Sequence, residues 1–221
     1  MTRSFPRSPW LLCAGLLIGV FMTSGCSTVY YEALEKVGVA KREVLADRVE
    51  DTQEAQEEAK EQFATALEQL MELTGDTGGE LKVHYDRLAD ALAESEDRAE
   101  EVHDRIKGVR SVAEALFNEW EQELDDYTSA TLRQRSERQL RETMRRYDRL
   151  VLLMQRAADR MDPVLATLRD QVLFLKHNLN AQTVAGLDST ARELQEDVTL
   201  LIADMEKSIA EAEAFLATWN S

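Results

Sequence analysis

Apolar residues recur along this chain at alternating steps of three and four, the spacing of a heptad-patterned α-helix. The pattern predicts four long helices, over about residues 28–73, 80–126, 130–179 and 188–219. It is continuous in the second half of the first helix, where the stripe comprises Leu45, Val49, Thr52, Gln56, Ala59, Phe63, Ala66, Leu70 and Leu73. The first half is weaker, because Lys41, Arg48 and Asp51 interrupt its apolar face.

Three features divide or disturb the helical pattern. Glycines within 74–79 permit the backbone angles that end a helix. Ser129 is suited to cap the third helix, because its side chain can accept a hydrogen bond from a free backbone N–H. Pro163 lies inside the third helix, where it predicts either a kink or a division into two helices. The apolar stripe continues through Pro163 without a shift, which favours one kinked helix.

The fold class that follows is all-α: an elongated antiparallel bundle, or coiled coil, of four long helices. Short connections make consecutive helices antiparallel neighbours. Helices of this length are up to about 70 Å long at 1.5 Å per residue. Trp120, Phe215 and Trp219 occupy heptad core positions, so we expect them in the core. The sequence predicts one helical domain over 26–221.

The first 25 residues do not fit the bundle and read as a signal peptide. Arg3 and Arg7 precede an apolar run of about 13 residues, too short to span a membrane. Small residues then lead to Cys26, an order that resembles a bacterial lipobox, although Thr23 stands where that pattern prefers Leu. The resemblance implies lipidation of Cys26, whereas the alternative is an ordinary cleavage near Gly25 that leaves a free thiol.

Lipidation would determine the cellular location of the protein as well as anchor it to a membrane. Several acyl chains on Cys26 would hold the protein stably on a membrane, unlike a single chain. Ser27 follows the cysteine, and the resemblance implies delivery to the outer membrane because Asp, the retention signal, is absent there. We therefore expect the periplasmic face of the outer membrane.

Composition and charge narrow the classes of function that the protein could have. The net charge is −16, and residues 1–25 hold two arginines and no acid, so it becomes −18 from Cys26 onwards. Such an acidic protein is not expected to bind nucleic acid, which requires a basic surface. Glu100 and His103 form a Glu-x-x-His pair but lack the second pair of a di-iron bundle. We expect no metal, no cofactor, no small-molecule substrate and no catalytic cluster, and hence no enzyme.

A run of arginines in the third helix has two interpretations. Seven arginines lie between Arg133 and Arg149 against three acids, and Arg138, Arg141, Arg145 and Arg149 share one face. The first interpretation is pairing with Glu119, Glu121, Glu123 and Asp125 of the second helix. The second is contact with anionic lipid headgroups, which would set the orientation of the rod.

The segment Val172, Leu173, Phe174 and Leu175 is apolar on every face of its helix. A helix of that kind is buried on several sides. We expect packing where the fourth helix turns back, or else an exposed patch that binds a partner.

Five stretches together resemble a known family. They are CSTVYY at 26–31, EKVG at 35–38, AQEEAKEQF at 55–63, AEALFNEWE at 113–121 and DQVLFLKHNLN at 170–180. The chain is similar over nearly all of 26–221 to a family of Gram-negative envelope proteins, the domain of unknown function twenty-nine fifty-nine. The resemblance implies a helical lipoprotein and supplies no catalytic residues.

The sequence thus predicts a lipid-anchored periplasmic rod that serves as an envelope scaffold or protein-interaction module. Its partners would be the membrane, a second copy of the chain or another envelope protein. The alternative is a module that exchanges helices with a partner or with lipid through the weakly packed first half of the first helix.

Overall fold

The structure is a computed structural model that describes residues 40–75 and 80–219. Its helices are α1 (Lys41–Gly75), α2 (Leu81–Glu123), α3 (Ala130–Asn178), α4 (Ala181–Ala185) and α5 (Asp188–Trp219). A 3-10 turn, Leu124–Asp126, follows α2. The part of the first predicted helix before residue 40, with Cys26 and the signal segment, lies outside the described residues.

The four long helices form a closed antiparallel bundle. α1 packs against α2 and α5, and α3 packs against the same two helices. Lys41 in the first turn of α1 meets Glu119 near the end of α2, and Arg42 meets Trp219 at the end of α5. The expected all-α bundle of four long helices is confirmed.

The core follows the heptad stripes. All nine stripe residues expected in 45–73 are buried, including the polar Thr52 and Gln56. The apolar stripe predicted for the fourth helix is buried as well; it comprises Leu187, Ala191, Leu194, Val198, Leu201, Met205, Ser208, Ala212, Phe215 and Trp219. Trp120 differs from Phe215 and Trp219, because it is only half-buried against the core.

Pro163 does not divide the third helix. α3 runs from Ala130 to Asn178 as one helix with Pro163 inside it. Pro163 itself is exposed, whereas Met161 and Val164 beside it are buried. Burial on both sides of the proline maintains the helix where one backbone hydrogen bond is missing.

Two side-chain caps set the helix boundaries in the second half of the chain. The hydroxyl of Ser129 accepts a hydrogen bond from the backbone N–H of Leu132, as predicted. Asn180 caps α4 in the same way, through Thr183. The pattern did not predict this short helix, which contacts α1 and α3 and contains the buried Val184.

Candidate functional site

The bundle has two different ends. The Trp219 end is where α1 begins and α2 and α5 end; the Phe174 end is where α1 and α3 end and α5 begins. Cys26 lies outside the described residues and fifteen positions before Lys41. The chain from Cys26 therefore enters the bundle at the Trp219 end.

At the Trp219 end, α1 and α5 are fastened to each other. A guanidinium nitrogen of Arg42 donates to the backbone oxygen of Trp219, and the group lies 4.9 Å from the centre of the indole ring. In return, Nε1 of Trp219 donates to the backbone oxygen of Arg42 at 3.0 Å. Phe215 stacks on the same indole with ring centres 5.0 Å apart. These contacts join the first turn of α1 to the last turn of α5.

Lys41 adds a buried ion pair at the same end. Its ammonium group lies 2.9 Å from a carboxylate oxygen of Glu119, and its side chain is only 10% exposed. In the sequence, Lys41 interrupts the apolar face of the helix. The structure instead brings it against an opposite charge, so α1 retains a packed first turn.

The paired helices α2 and α3 extend beyond this end. No residue from Asn118 to Gln139 is buried, and Leu140 is the first buried residue of α3. Trp120 crosses the pair, with its indole N–H donating to the hydroxyl of Ser136 at 2.8 Å. The first ten residues of α3 thus project by about 15 Å from the four-helix section.

The four predicted arginines lie on the exposed face of α3. Arg149 pairs with Glu211 of α5 at 2.8 Å, and Arg141 pairs with Glu137 of its own helix. Arg138 and Arg145 make no ion pair with any residue that the structure describes. The stripe therefore remains accessible to solvent along its length.

In the structure, the four arginines do not pair with the acids expected in the second helix, Glu119, Glu121, Glu123 and Asp125. Of those acids, Asp125 pairs with Arg133 and Glu119 pairs with Lys41. The reason is the direction of the side chains: the stripe faces away from α2. α5, the neighbour on the other side, ends at Trp219 and supplies one partner, Glu211.

The sequence did not predict a charged cluster between α3 and α5 that is centred on Asp204. The carboxylate of Asp204 on α5 is 5% exposed and accepts hydrogen bonds from Arg156 and Arg160 of α3 and from Lys207. Burial raises the pKa of Asp204, but the hydrogen bonds from Lys207 and Arg160 outweigh burial and hold it below its ordinary 3.8. Asp204 therefore stays ionised in the bundle near neutral pH.

A buried polar contact also joins α1 to α5. The Ser208 hydroxyl donates to the amide oxygen of Gln56 at 2.8 Å, and both residues are fully buried. The amide nitrogen of Gln56 has no hydrogen-bond partner. This contact lies at the middle of the bundle and is a specific link between its first and last helices.

The segment 172–175 divides between core and surface. Leu175 is fully buried, and Val172 is half-buried against the core. Leu173 and Phe174 are 59% and 50% exposed. Part of the segment is thus packed in the core, and an exposed apolar pair, Leu173 and Phe174, remains at the surface.

A family model for proteins of unknown function, DUF2959, matches residues 30–219, which is most of the chain. The chain belongs to DUF2959. No curated protein and no solved structure matches it. The helical bundle described above is therefore what the DUF2959 region of this chain folds into.

Two further properties of the described part of the DUF2959 bundle concern membrane-spanning helices and groups of metal-binding side chains. No helix within 40–75 and 80–219 has both the length and the apolar character of a membrane span. In the same ranges no three His, Cys, Asp or Glu side chains gather as a metal site. His103, of the Glu-x-x-His pair, lies 3.6 Å from a carboxylate oxygen of Asp162.

Proposed function

We propose that this protein is a lipid-anchored helical rod on the periplasmic face of the outer membrane. It acts as a non-enzymatic scaffold or interaction module of the cell envelope. The observation that carries the proposal is the position of Cys26. It follows a signal-like segment and precedes the first turn of a long bundle by fifteen residues.

The dimensions of the bundle support a spacing role. α2 has 43 residues and α3 has 49, so they extend about 65 and 74 Å. Neighbouring helix axes are about 8–10 Å apart, so the rod is several times longer than it is wide. An anchor at the Trp219 end would hold the Phe174 end more than about 60 Å from the membrane if the rod stands upright.

The internal space of the bundle supports a role without a substrate. Two small cavities in the described part lie at the Trp219 end, where Arg42, Trp120 and Trp219 line each of them. Their volumes are about 20 and 190 Å³. Pockets for small-molecule ligands are usually about 300–1,000 Å³. A narrow core filled by heptad side chains suits a rod better than a catalyst.

The anchor is tested by following acylation in a Gram-negative host. Cells that express the chain are grown with a labelled fatty acid, and the mature N-terminus is analysed by mass spectrometry. Cys26→Ser should remove the label and release the protein into the soluble periplasmic fraction. Cys13→Ser is the matched control and should change neither result. An unacylated N-terminus in the parent protein would contradict the proposal.

The interaction role is tested at the far end of the rod. A photo-crosslinking residue replaces Phe174 in cells, and the same residue at the exposed Glu206 is the control. We expect a discrete adduct from position 174 and none from 206. An adduct of twice the chain mass would identify self-association, and another mass would identify a different envelope protein. No adduct from position 174 would contradict an interaction role for this surface.

The alternative, exchange of the first helix with a partner or lipid, has less support. It depends on a weakly held first half of α1. The first turn of α1 is held by the contacts between Arg42 and Trp219, which we call the clasp, and by the buried ion pair of Lys41 with Glu119. The amide nitrogen of Gln56 and the amide oxygen of Gln69, both on α1 and both without a hydrogen-bond partner, favour exchange, because an unsatisfied buried polar group weakens packing.

A further inference from the structure

The exposed face of α3 near the Trp219 end is both basic and partly apolar. Arg138, Arg141, Arg145, Arg149 and Leu152 follow one another at steps of three, four, four and three, which places them on one helix face. We call these five residues the arginine face. It is about 21 Å long by helix rise. Leu152 is 68% exposed and lies at one end of it, without any cover from the bundle.

The point at which α5 ends explains why two of the four arginines of this face have no acidic partner among the described residues. α5 ends at Trp219, and its ion pair with Arg149 uses Glu211, two turns before that end. Arg138 and Arg145 consequently have no acidic partner among the residues that the structure describes. Glu142 and Asp148 flank the face on α3 itself but pair with none of its arginines.

The face has the opposite charge to most of the protein. Between Arg133 and Arg149, α3 alone carries a charge of +4, from seven arginines and three acids, in a chain of net charge −16. Asp125 and Glu211, from other parts of the bundle, pair with two of these arginines. Charges more than about 8 Å apart are largely screened at physiological ionic strength. An approaching surface therefore experiences the local arginines and not the distant acids.

We propose that the arginine face docks onto anionic phospholipid headgroups. This inference rests on the proposed anchoring, because the anchored membrane then lies beside the Trp219 end. The arginines would contact phosphates, and Leu152 would enter the headgroup region. Docking would tilt the rod towards the α3 side and fix its rotation about its own axis.

The test uses a soluble form of residues 27–221, so it does not depend on lipidation. Every buried apolar residue described lies between Val44 and Trp219, so this form retains the whole described core. Flotation measures its binding to vesicles of phosphatidylglycerol mixed with phosphatidylcholine, and to pure phosphatidylcholine. We expect binding to the anionic vesicles alone, and weaker binding as salt is raised.

Charge removal then tests the face itself. An arginine near an anionic surface contributes a factor of about five to binding, so R138Q/R141Q/R145Q should reduce it roughly a hundredfold. The control K82Q/R87Q/R192Q removes the same charge from exposed positions near the Phe174 end and should bind like the parent. Circular dichroism checks that both variants remain helical.

Three results would overturn the inference: no binding by the parent, equal binding to neutral vesicles, or equal losses in the two triple variants. None of them bears on acylation of Cys26. Failure of the docking surface is therefore distinguishable from failure of the anchor.

Discussion

Asp204 of α5 accepts a hydrogen bond of 2.7 Å from Nε of Arg160 on α3, which places an ionised carboxylate inside a helix interface. Arg156, one turn earlier on α3, donates to the same oxygen at 3.2 Å. Lys207 donates to the other oxygen at 3.1 Å. The two arginines are four residues apart and clasp one acid, so this contact fixes the register of α3 against α5.

Removal of the charge of Asp204 should destabilise the bundle. In Asp204→Asn, Arg160 and Arg156 lose their shared anion while remaining at the interface. Breaking a buried pair from one side is costly, but these arginines are partly exposed, so we expect a loss of about 1–3 kcal/mol in the free energy of unfolding. Urea denaturation measures it. Asp197→Asn, at an exposed position of the same helix, is the control and should change the free energy of unfolding little. Equal stability of the two variants would show that the Asp204 cluster does not stabilise the bundle.

The contribution of Asp204 should also depend on pH. Its pKa is lower in the folded protein than its ordinary 3.8, because the hydrogen bonds from Lys207 and Arg160 exceed the effect of burial. The stability it adds is therefore present above about pH 4 and is lost as the pH falls through the folded value. The stability difference between the parent and Asp204→Asn should shrink on acidification below pH 4. A difference that stays constant in urea titrations across that range would contradict the assignment.

The buried link between Gln56 and Ser208 should behave differently from an ion pair. Ser208→Ala leaves the Gln56 amide with neither hydrogen-bond partner and should cost about 1 kcal/mol of stability. Gln56→Leu with Ser208→Ala removes both polar groups and should be neutral or stabilising, because the amide nitrogen is already unpartnered. Urea denaturation of both variants checks this. A larger loss in the double variant than in Ser208→Ala would contradict it.

The double variant should also allow the helices of the bundle to pair in more than one register. A buried polar contact between two helices can specify register at a cost in stability. Size-exclusion chromatography with light scattering should then show a broader distribution of masses for the double variant than for the parent. An unchanged distribution would assign register to the other contacts, above all to Asp204.

The clasp at the Trp219 end should govern the opening of α1. Trp219→Ala removes the cation–π contact with Arg42, the hydrogen bond to its backbone and the stack on Phe215. We expect a loss of about 2–4 kcal/mol and faster hydrogen exchange across 44–50. Tyr127→Ala removes an exposed ring from the same end and is the control. If 44–50 already exchange rapidly in the parent, the helix-exchange alternative gains support.

The heptad stripes predicted the fold well because they are long and unbroken. In α1 and α5 every predicted stripe residue is buried, since each of these helices has two long neighbours over its described length. Prediction was weaker in α2 and α3 near the Trp219 end. Leu116 and Trp120, both at heptad stripe positions of α2, are only half-buried there. Phe117 is buried instead, with its ring edge against Tyr147 at 5.3 Å.

The charged features of the site were not predictable from one helix at a time. Asp204 precedes the stripe residue Met205 and resembles any solvated acid in the sequence. Its burial depends on Arg156 and Arg160, which reach it only in the register that α3 and α5 adopt. The same holds for Lys41, whose partner Glu119 lies 78 residues away. Long-range register, which a periodic pattern leaves open, decides which charges become buried.

Phe174 and Leu175 are neighbours in the apolar segment but have opposite environments, so we expect their substitutions to have different effects on stability. Leu175 is fully buried, so Leu175→Ala should cost about 2–5 kcal/mol through the cavity that it leaves. Phe174 is half-exposed, so Phe174→Ser should change stability by less than about 0.5 kcal/mol. Thermal denaturation compares the two variants directly. Because Phe174→Ser leaves the bundle intact, any defect it causes in cells would report on a lost contact of this surface, whereas a defect in Leu175→Ala would report on folding. A stability loss in Phe174→Ser as large as that in Leu175→Ala would show that the exposed ring is part of the core and would remove the basis for a contact surface here.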